Sequence, residues 1–170
     1  MANAEHIKIA SSGPDALDNW RENNPDVLLD LEGADLSGMN LAGTRINEAN
    51  FKGANLTKAR LSKANLAGSD LSGADLSEAD FGQAGMAGVD LSGATVTNVN
   101  FFWTDMKGAN LKGAMVKGCR MNRVNLIGAD LSDADFSQSN MIEADLRNTD
   151  MTNTKFHSSM MNGADLSRAN

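Results

Sequence analysis

The apolar side chains of this chain recur every five residues, which is neither the 3.6 of a helix nor the 2 of a strand. From Leu31 to Leu166 every fifth residue is apolar, through Leu36, Leu41, Ile46, Phe51 and Leu56 to Met161, twenty-eight positions in all. Two residues before each lies a second column. It holds Ala at fifteen of the twenty-eight positions and Ser, Thr, Val or Cys at the others, with Leu29 and Met39 as larger exceptions. Between the columns stands Asp or Asn in twenty cases. Ala34–Gly38 (ADLSG) and Ala74–Glu78 (ADLSE) show the unit most plainly.

A sheet strand cannot keep both columns inward while the residues between successive pairs point outward. A chain that turns a corner every five residues can, with the large column on the axis and the small column at the corner. Four such sides make a coil of twenty residues, so the run predicts an all-β solenoid of about seven coils. At the strand spacing of about 4.8 Å this is a rod about 34 Å long. Outside, Asp, Asn and Ser suit turns because they bond their own local backbone, and Gly tolerates the tight corner.

The A-(D/N)-L-S-G run resembles the pentapeptide repeat family. The resemblance covers residues 29–170 without a phase slip and implies a right-handed quadrilateral β-helix. It implies little about function, because one solenoid supports many roles. Similarity to the family's gyrase-binding members implies one possible role, a DNA mimic with DNA gyrase or topoisomerase as partner, and it implies dimers formed through the C-terminal end. The sequence stops at Ala169-Asn170, two residues into a further unit. Either the array continues, or the open coil stacks on a second copy as a homodimer.

Residues 1–28 lie outside the repeat and are expected to cap its first coil. His6–Ala10 (HIKIA) is expected to add a short strand. Ser12–Asn23 predicts a helix, with Ser12 or Gly13 as its cap, Pro14 in the first turn and Asp15 near the positive end. Asn24 before Pro25 ends it. Leu17 and Trp20 share one helix face that suits the coil below.

Composition narrows the function. Fifteen basic against twenty-two acidic side chains give a net charge of −7, which argues against direct nucleic acid and anionic membranes as partners. No apolar run reaches the length of a membrane helix and Met1–Ala10 has no signal-peptide core, so a cytoplasmic protein is expected; a bacterial source is a separate expectation. His6 and His157, expected to face solvent, and the inward Cys119 form no ligand cluster, so no metal and no cofactor are expected. The aspartates and serines follow the repeat rather than a catalytic pairing, and no enzyme is expected.

Residues twenty apart stack, so outward charges sort by face. The face centred on Leu31, Phe51 and Leu71 carries Asp30, Glu32, Asp70, Asp90, Asp130, Asp133 and Asp150 against Lys52 and Lys112, a net of −5. This acidic flank is the feature that a DNA mimic would use. The face centred on Leu41, Leu61 and Phe81 carries Arg60, Lys63, Arg120 and Arg123 against Asp80 and Glu143, a net of +2. The same face holds the main departure from the repeat. Val99–Trp103 reads VNFFW, with Phe102 and Trp103 where Ser and Gly usually stand. Arg123 stacks one coil beyond Trp103, within cation–π reach, and Ile142 stacks two coils beyond Phe102. Two uses fit: the centre of a protein interface, or local cover for the solenoid wall. A protein-interaction scaffold built on Phe102, Trp103, Arg60, Lys63, Arg120, Arg123 and Ile142 is the expected function, with the DNA mimic as alternative.

Overall fold

A computed structural model describes residues 3–170; Met1 and Ala2, the start of the expected 1–28 segment, lie outside the described residues. The repeat region is a β-helix solenoid. Asp30 pairs in parallel with Asn50, Asp35 with Asn55, Asn40 with Arg60 and Arg45 with Asn65, and the step of twenty continues to Asp145 with Asp165. The residue between the two apolar columns is thus the one that pairs with its neighbouring coils.

Three backbone hydrogen bonds serve each side. Leu31 N–H donates to Asn50 O (2.7 Å), Gly33 N–H to Lys52 O (2.8 Å), and Asn50 N–H returns to Leu29 O (2.9 Å). In one place the pairing lengthens into strands, β1 (Thr95–Thr97) beside β2 (Met115–Lys117). Indoors, the large column is fully buried from Leu31 to Leu146 and the small column lies beside it. Phenylalanines on successive coils stack, Phe81 on Phe101 at 5.5 Å between centroids and Phe136 on Phe156 at 5.6 Å. Alanine holds fifteen small-column positions, and the branched residues that replace it at Thr44, Val89, Val99, Thr104, Val124 and Thr149 are buried as well.

Twenty-five of the twenty-eight corners are turns closed by one hydrogen bond, such as Ala34 N–H to Leu31 O at 3.0 Å. The third residue of that turn is left-handed in all twenty-eight units, with φ from +56° to +72°. That conformation with that bond matches a type II turn, which favours glycine at this position. Fifteen of the twenty-eight are nevertheless other residues, Trp103 and Arg123 among them.

Three corners lack the closing bond among the described residues: Ile46–Ala49, Val96–Val99 and Val116–Cys119. A polar member of the small column, one coil on, bridges each of them. Ser69 Oγ accepts the Ala49 N–H (3.1 Å) and donates to Ile46 O (3.0 Å). Ser139 Oγ accepts the Cys119 N–H (3.2 Å) and donates to Val116 O (3.0 Å). At the third corner Cys119 Sγ donates to Val96 O at 3.1 Å. Burial pushes the Cys119 thiol up to about 12, so it stays protonated and able to donate.

Two helices precede the solenoid, α1 (Ala4–Ser11) and α2 (Pro14–Asn23). The strand expected at His6–Ala10 is therefore a helix. Asn3 caps it by accepting the Glu5 N–H at 2.9 Å, and the helix buries Ala10 and His6. A lone strand would have left one edge unpaired. His6, expected in solvent, is buried: Nδ1 accepts the Asp30 N–H (2.9 Å), and its ring meets Trp20 edge-on at 5.0 Å. The helix read at Ser12–Asn23 forms from Pro14 onward, with Gly13 at its N-cap, Pro14 in its first turn and Leu17 fully buried, while Ser12 closes α1. Asp18 Oδ1 accepts the Arg45 N–H (2.8 Å), and Glu22 pairs with the Arg45 guanidinium at 2.7 Å. Asp30 and Arg45 donate to the preceding coil's place in the pattern, and side chains of the two helices supply the acceptors. At the other end Met151, Phe156 and Met161 of the axis column are only partly buried, and Leu166 is exposed.

Three substitutions test the corners. A Cβ added at Gly73 (φ +64°) meets nothing within 4 Å. Gly73→Ala should still cost about 1–2 kcal/mol in chemical denaturation, because the penalty is conformational rather than steric. Cys119→Ser should keep its bond to Val96 O and stay close to the parent in stability. Cys119→Val removes the thiol donor and leaves Val96 O only the Lys117 N–H that the β1–β2 pairing gives it, and should cost about 1 kcal/mol. Equal stability of the two Cys119 variants would refute the bridging role.

Candidate interaction surface

Coil stacking turns every outward position into a column, so a side chain's neighbours are the residues twenty before and twenty after it. Two adjoining columns of one face meet at the VNFFW segment. The first runs Ser62, Gly82, Phe102, Asn122 and Ile142, and the second Lys63, Gln83, Trp103, Arg123 and Glu143. Gly82 has no side chain to cover Phe102 from the preceding coil. Its own surroundings are tight, with Asn100 Nδ2 3.0 Å from where a Cβ would sit.

Phe102 is half-buried, and Trp103 is 56% exposed, the most exposed of the Phe and Trp side chains among the described residues. Their rings lie nearly parallel with centroids 6.4 Å apart. The Arg120 guanidinium sits 4.5 Å from the Phe102 centroid, and that of Arg123 is 5.9 Å from the Trp103 centroid. Arg123 Nε also donates to Glu143 Oε2 at 2.6 Å, so this cation is shared between ring and carboxylate. The closer contact, Arg120 on Phe102, was not apparent from the twenty-residue stacking rule, because those positions are eighteen apart. Both residues come within reach only when the side chains lean across columns.

Arg60 and Lys63 are exposed on the same face, nearer the N-terminal end. Ile142 is half-buried and does not close on Phe102. Asn122 stands between them and donates from Nδ2 to Asn140 Oδ1 at 2.8 Å. The structure therefore gathers Phe102, Trp103, Arg120 and Arg123 into one cluster, places Arg60 and Lys63 beside it, and leaves Ile142 outside it.

The acidic flank is built differently. Asp70 and Asp90 each accept the N–H of Ser72 and Ser92 at 2.8 Å, and Asp130 accepts that of Ser132 at 2.9 Å. Asp30 Oδ1 accepts from Glu32 N–H and from Asn50 Nδ2, while Asp133 Oδ1 accepts from Asn153 Nδ2 at 3.0 Å. The Thr152 hydroxyl and N–H hold the Asp150 carboxyl below the usual carboxylate range. Each of these carboxylates braces its own turn or the next coil, so their spacing is a property of the fold. Among the described residues no three His, Cys, Asp or Glu side chains are grouped to hold a metal ion, and no helix is long and apolar enough to cross a membrane.

Compared with known proteins, the chain matches the family model described as Pentapeptide repeats in 8 copies, over overlapping segments from residue 29–62 to residue 140–170. No curated protein matches it. Among solved structures it is similar to HetL from the cyanobacterium Nostoc sp. strain PCC 7120, a pentapeptide repeat protein involved in heterocyst differentiation regulation. The two are 25% identical over 81% of this chain and 80% of that one, with a TM-score of 0.43. It is also similar to QnrB1, a plasmid-mediated fluoroquinolone resistance protein, at 25% identity over 81% of this chain and 77% of that one, with a TM-score of 0.46.

One pair on a neighbouring face gives the surface charges a measurable signature. The Ser137 side chain, and then Lys117 Nζ at 2.9 Å, hold the Asp135 carboxyl down at about 2, against the ordinary 3.8. A lowered value means that its stabilising contribution is complete above pH 3.8 and is lost as pH falls through about 2. Carboxyl-carbon NMR should show Asp135 titrating well below 3.8, and Lys117→Met or Ser137→Ala should move it upward. A parent midpoint at or above 3.8 would exclude the pairing.

Proposed function

Because the chain belongs to the pentapeptide repeat family, with matches running from residue 29 to residue 170, we propose that it is a non-enzymatic scaffold that holds a protein partner on one face of its β-helix. In this reading residues 29–170 form about seven right-handed coils. Residues 1–28 are a cap whose helices cover the first coil, and the protein works in the cytoplasm. The observation that carries the reading is Trp103. A large ring stands 56% exposed at a left-handed position where glycine is the commonest residue, with thirteen of the twenty-eight places. Local cover does not call for such a residue there, since the axis residue is equally buried at corners that carry glycine, such as Leu71 with Gly73. Exposed Trp and Phe with flanking Arg have the composition of an interface centre, where a few such residues carry most of the binding energy.

The acidic flank supports a second reading, a DNA mimic acting on gyrase, through its net charge of −5. Its carboxylates are engaged in bracing turns, which weighs the balance toward the aromatic face.

The decisive experiment is the paired substitution Phe102→Ser with Trp103→Gly, which restores the repeat's usual residues and gives position 103 the residue its φ favours. The variant should fold and melt like the parent while losing at least tenfold in affinity for the partner that the parent captures. Unchanged capture would remove this face from the function. Inhibition of purified gyrase supercoiling by both proteins alike would favour the acidic flank instead.

A further inference from the structure

Four cations surround the Phe102–Trp103 ring pair, and they stand in two columns. Arg60 and Arg120 share one, separated by Asp80 and Asn100; Lys63 and Arg123 share the other, separated by Gln83 and Trp103. Three coil steps of about 4.8 Å put the members of each pair about 14 Å apart along the solenoid axis. The rings thus lie between two cationic ends. At one end Arg123 is engaged with Glu143 at 2.6 Å, and Arg120, lying on Phe102 at 4.5 Å, keeps guanidinium donors to offer. At the other, Arg60 and Lys63 have no ion pair among the described residues. The one carboxylate between the ends, Asp80, already accepts the Gly82 N–H (3.0 Å) and Asn100 Nδ2 (2.6 Å).

We propose that the occupant of this face is an acidic peptide segment lying extended along the solenoid axis. An apolar side chain rests on the Trp103 and Phe102 rings, and carboxylates reach Arg120 at one end and Arg60 with Lys63 at the other. The inference rests on the reading of this face as an interaction surface and adds the chemistry of the partner. An extended chain advances about 3.3 Å per residue, so about four residues span the 14 Å between the cationic ends. The sequence it fits is therefore an apolar residue flanked by two Asp or Glu about four positions apart. Exposed ion pairs add little affinity each, so the rings supply the anchor and the charges supply register and selectivity. A nucleic acid strand is a poorer match. It presents charge along its whole length to a chain whose net charge is −7, whereas a short acidic segment meets only the local cations.

The test is selection of displayed random twelve-residue peptides on the immobilised full chain. Fluorescein-labelled synthetic copies are then measured by anisotropy against the parent and two variants, Phe102→Ser/Trp103→Gly and Arg60→Glu/Lys63→Glu/Arg120→Glu. Circular dichroism and melting verify that both variants are folded. Enriched peptides should carry the acidic–apolar–acidic pattern and lose at least tenfold in affinity on each variant. Peptides that depend on the rings but lack acidic residues, or acidic peptides indifferent to the charge reversal, would overturn the acidic occupant and leave the interaction surface standing. If no peptide responds to the ring variant, both fall. A labelled twelve-nucleotide oligouridylate that binds more tightly than every selected peptide, and is lost on the same variants, would replace the peptide by a single-stranded nucleic acid.

Discussion

Each side of the solenoid is tied to the next coil by N–H and C=O groups spaced along five residues, and those groups meet only while every side keeps that length. One inserted residue would bring the pairing position out of line with Asx and rotate the apolar columns outward together. The repeat from Leu31 to Leu166 contains no such slip, and the step of twenty holds from Asp30 with Asn50 to Asp145 with Asp165. Burial, corner geometry and surface layout all follow from it. The large column reaches the axis, the small one fits beneath the corner, and the last residue of every unit takes a left-handed conformation.

The same constraint sets what the surface is free to do. The Asp and Asn between the columns brace turns and link coils: Asn110 Nδ2 donates to Asp90 Oδ1 at 3.1 Å, and Asn125 Nδ2 to Asp105 Oδ1 at 2.9 Å. Charge on these columns is therefore largely a by-product of stability. Information specific to a partner has to be written where neither the core nor the Asx bracing uses the side chain, in the two outward residues of each unit. Phe102 and Trp103 occupy such positions. A left-handed Trp103 has a conformational cost that glycine would avoid, and at glycine corners such as Leu71 with Gly73 the axis residue is as fully buried without a ring.

The period of five, its two inward columns and the twenty-residue register were legible from the sequence because the pairing demands them in every unit. α2 was legible as well, since Pro14 near its start and Asn24-Pro25 at its end act locally. α1 was not. HIKIA alternates as a strand would, and only the Asn3 cap and the chance to bury His6 and Ala10 against the first coil favour a helix. His6 faces inward for the same reason: the Asp30 N–H has no preceding repeat coil to meet, and His6 Nδ1 fills that place.

What the amino-acid sequence determined alone was repetition: which residues point in, which pair, and which columns they join. The tertiary structure decided what happens between columns. Arg120 leaning onto Phe102, Ser69, Cys119 and Ser139 bridging opened corners, and Asn122 parting Ile142 from the rings all depend on side-chain reach across neighbouring coils. A one-dimensional period sets the distance between backbones, but rotamers and local hydrogen bonds choose among the contacts that distance allows.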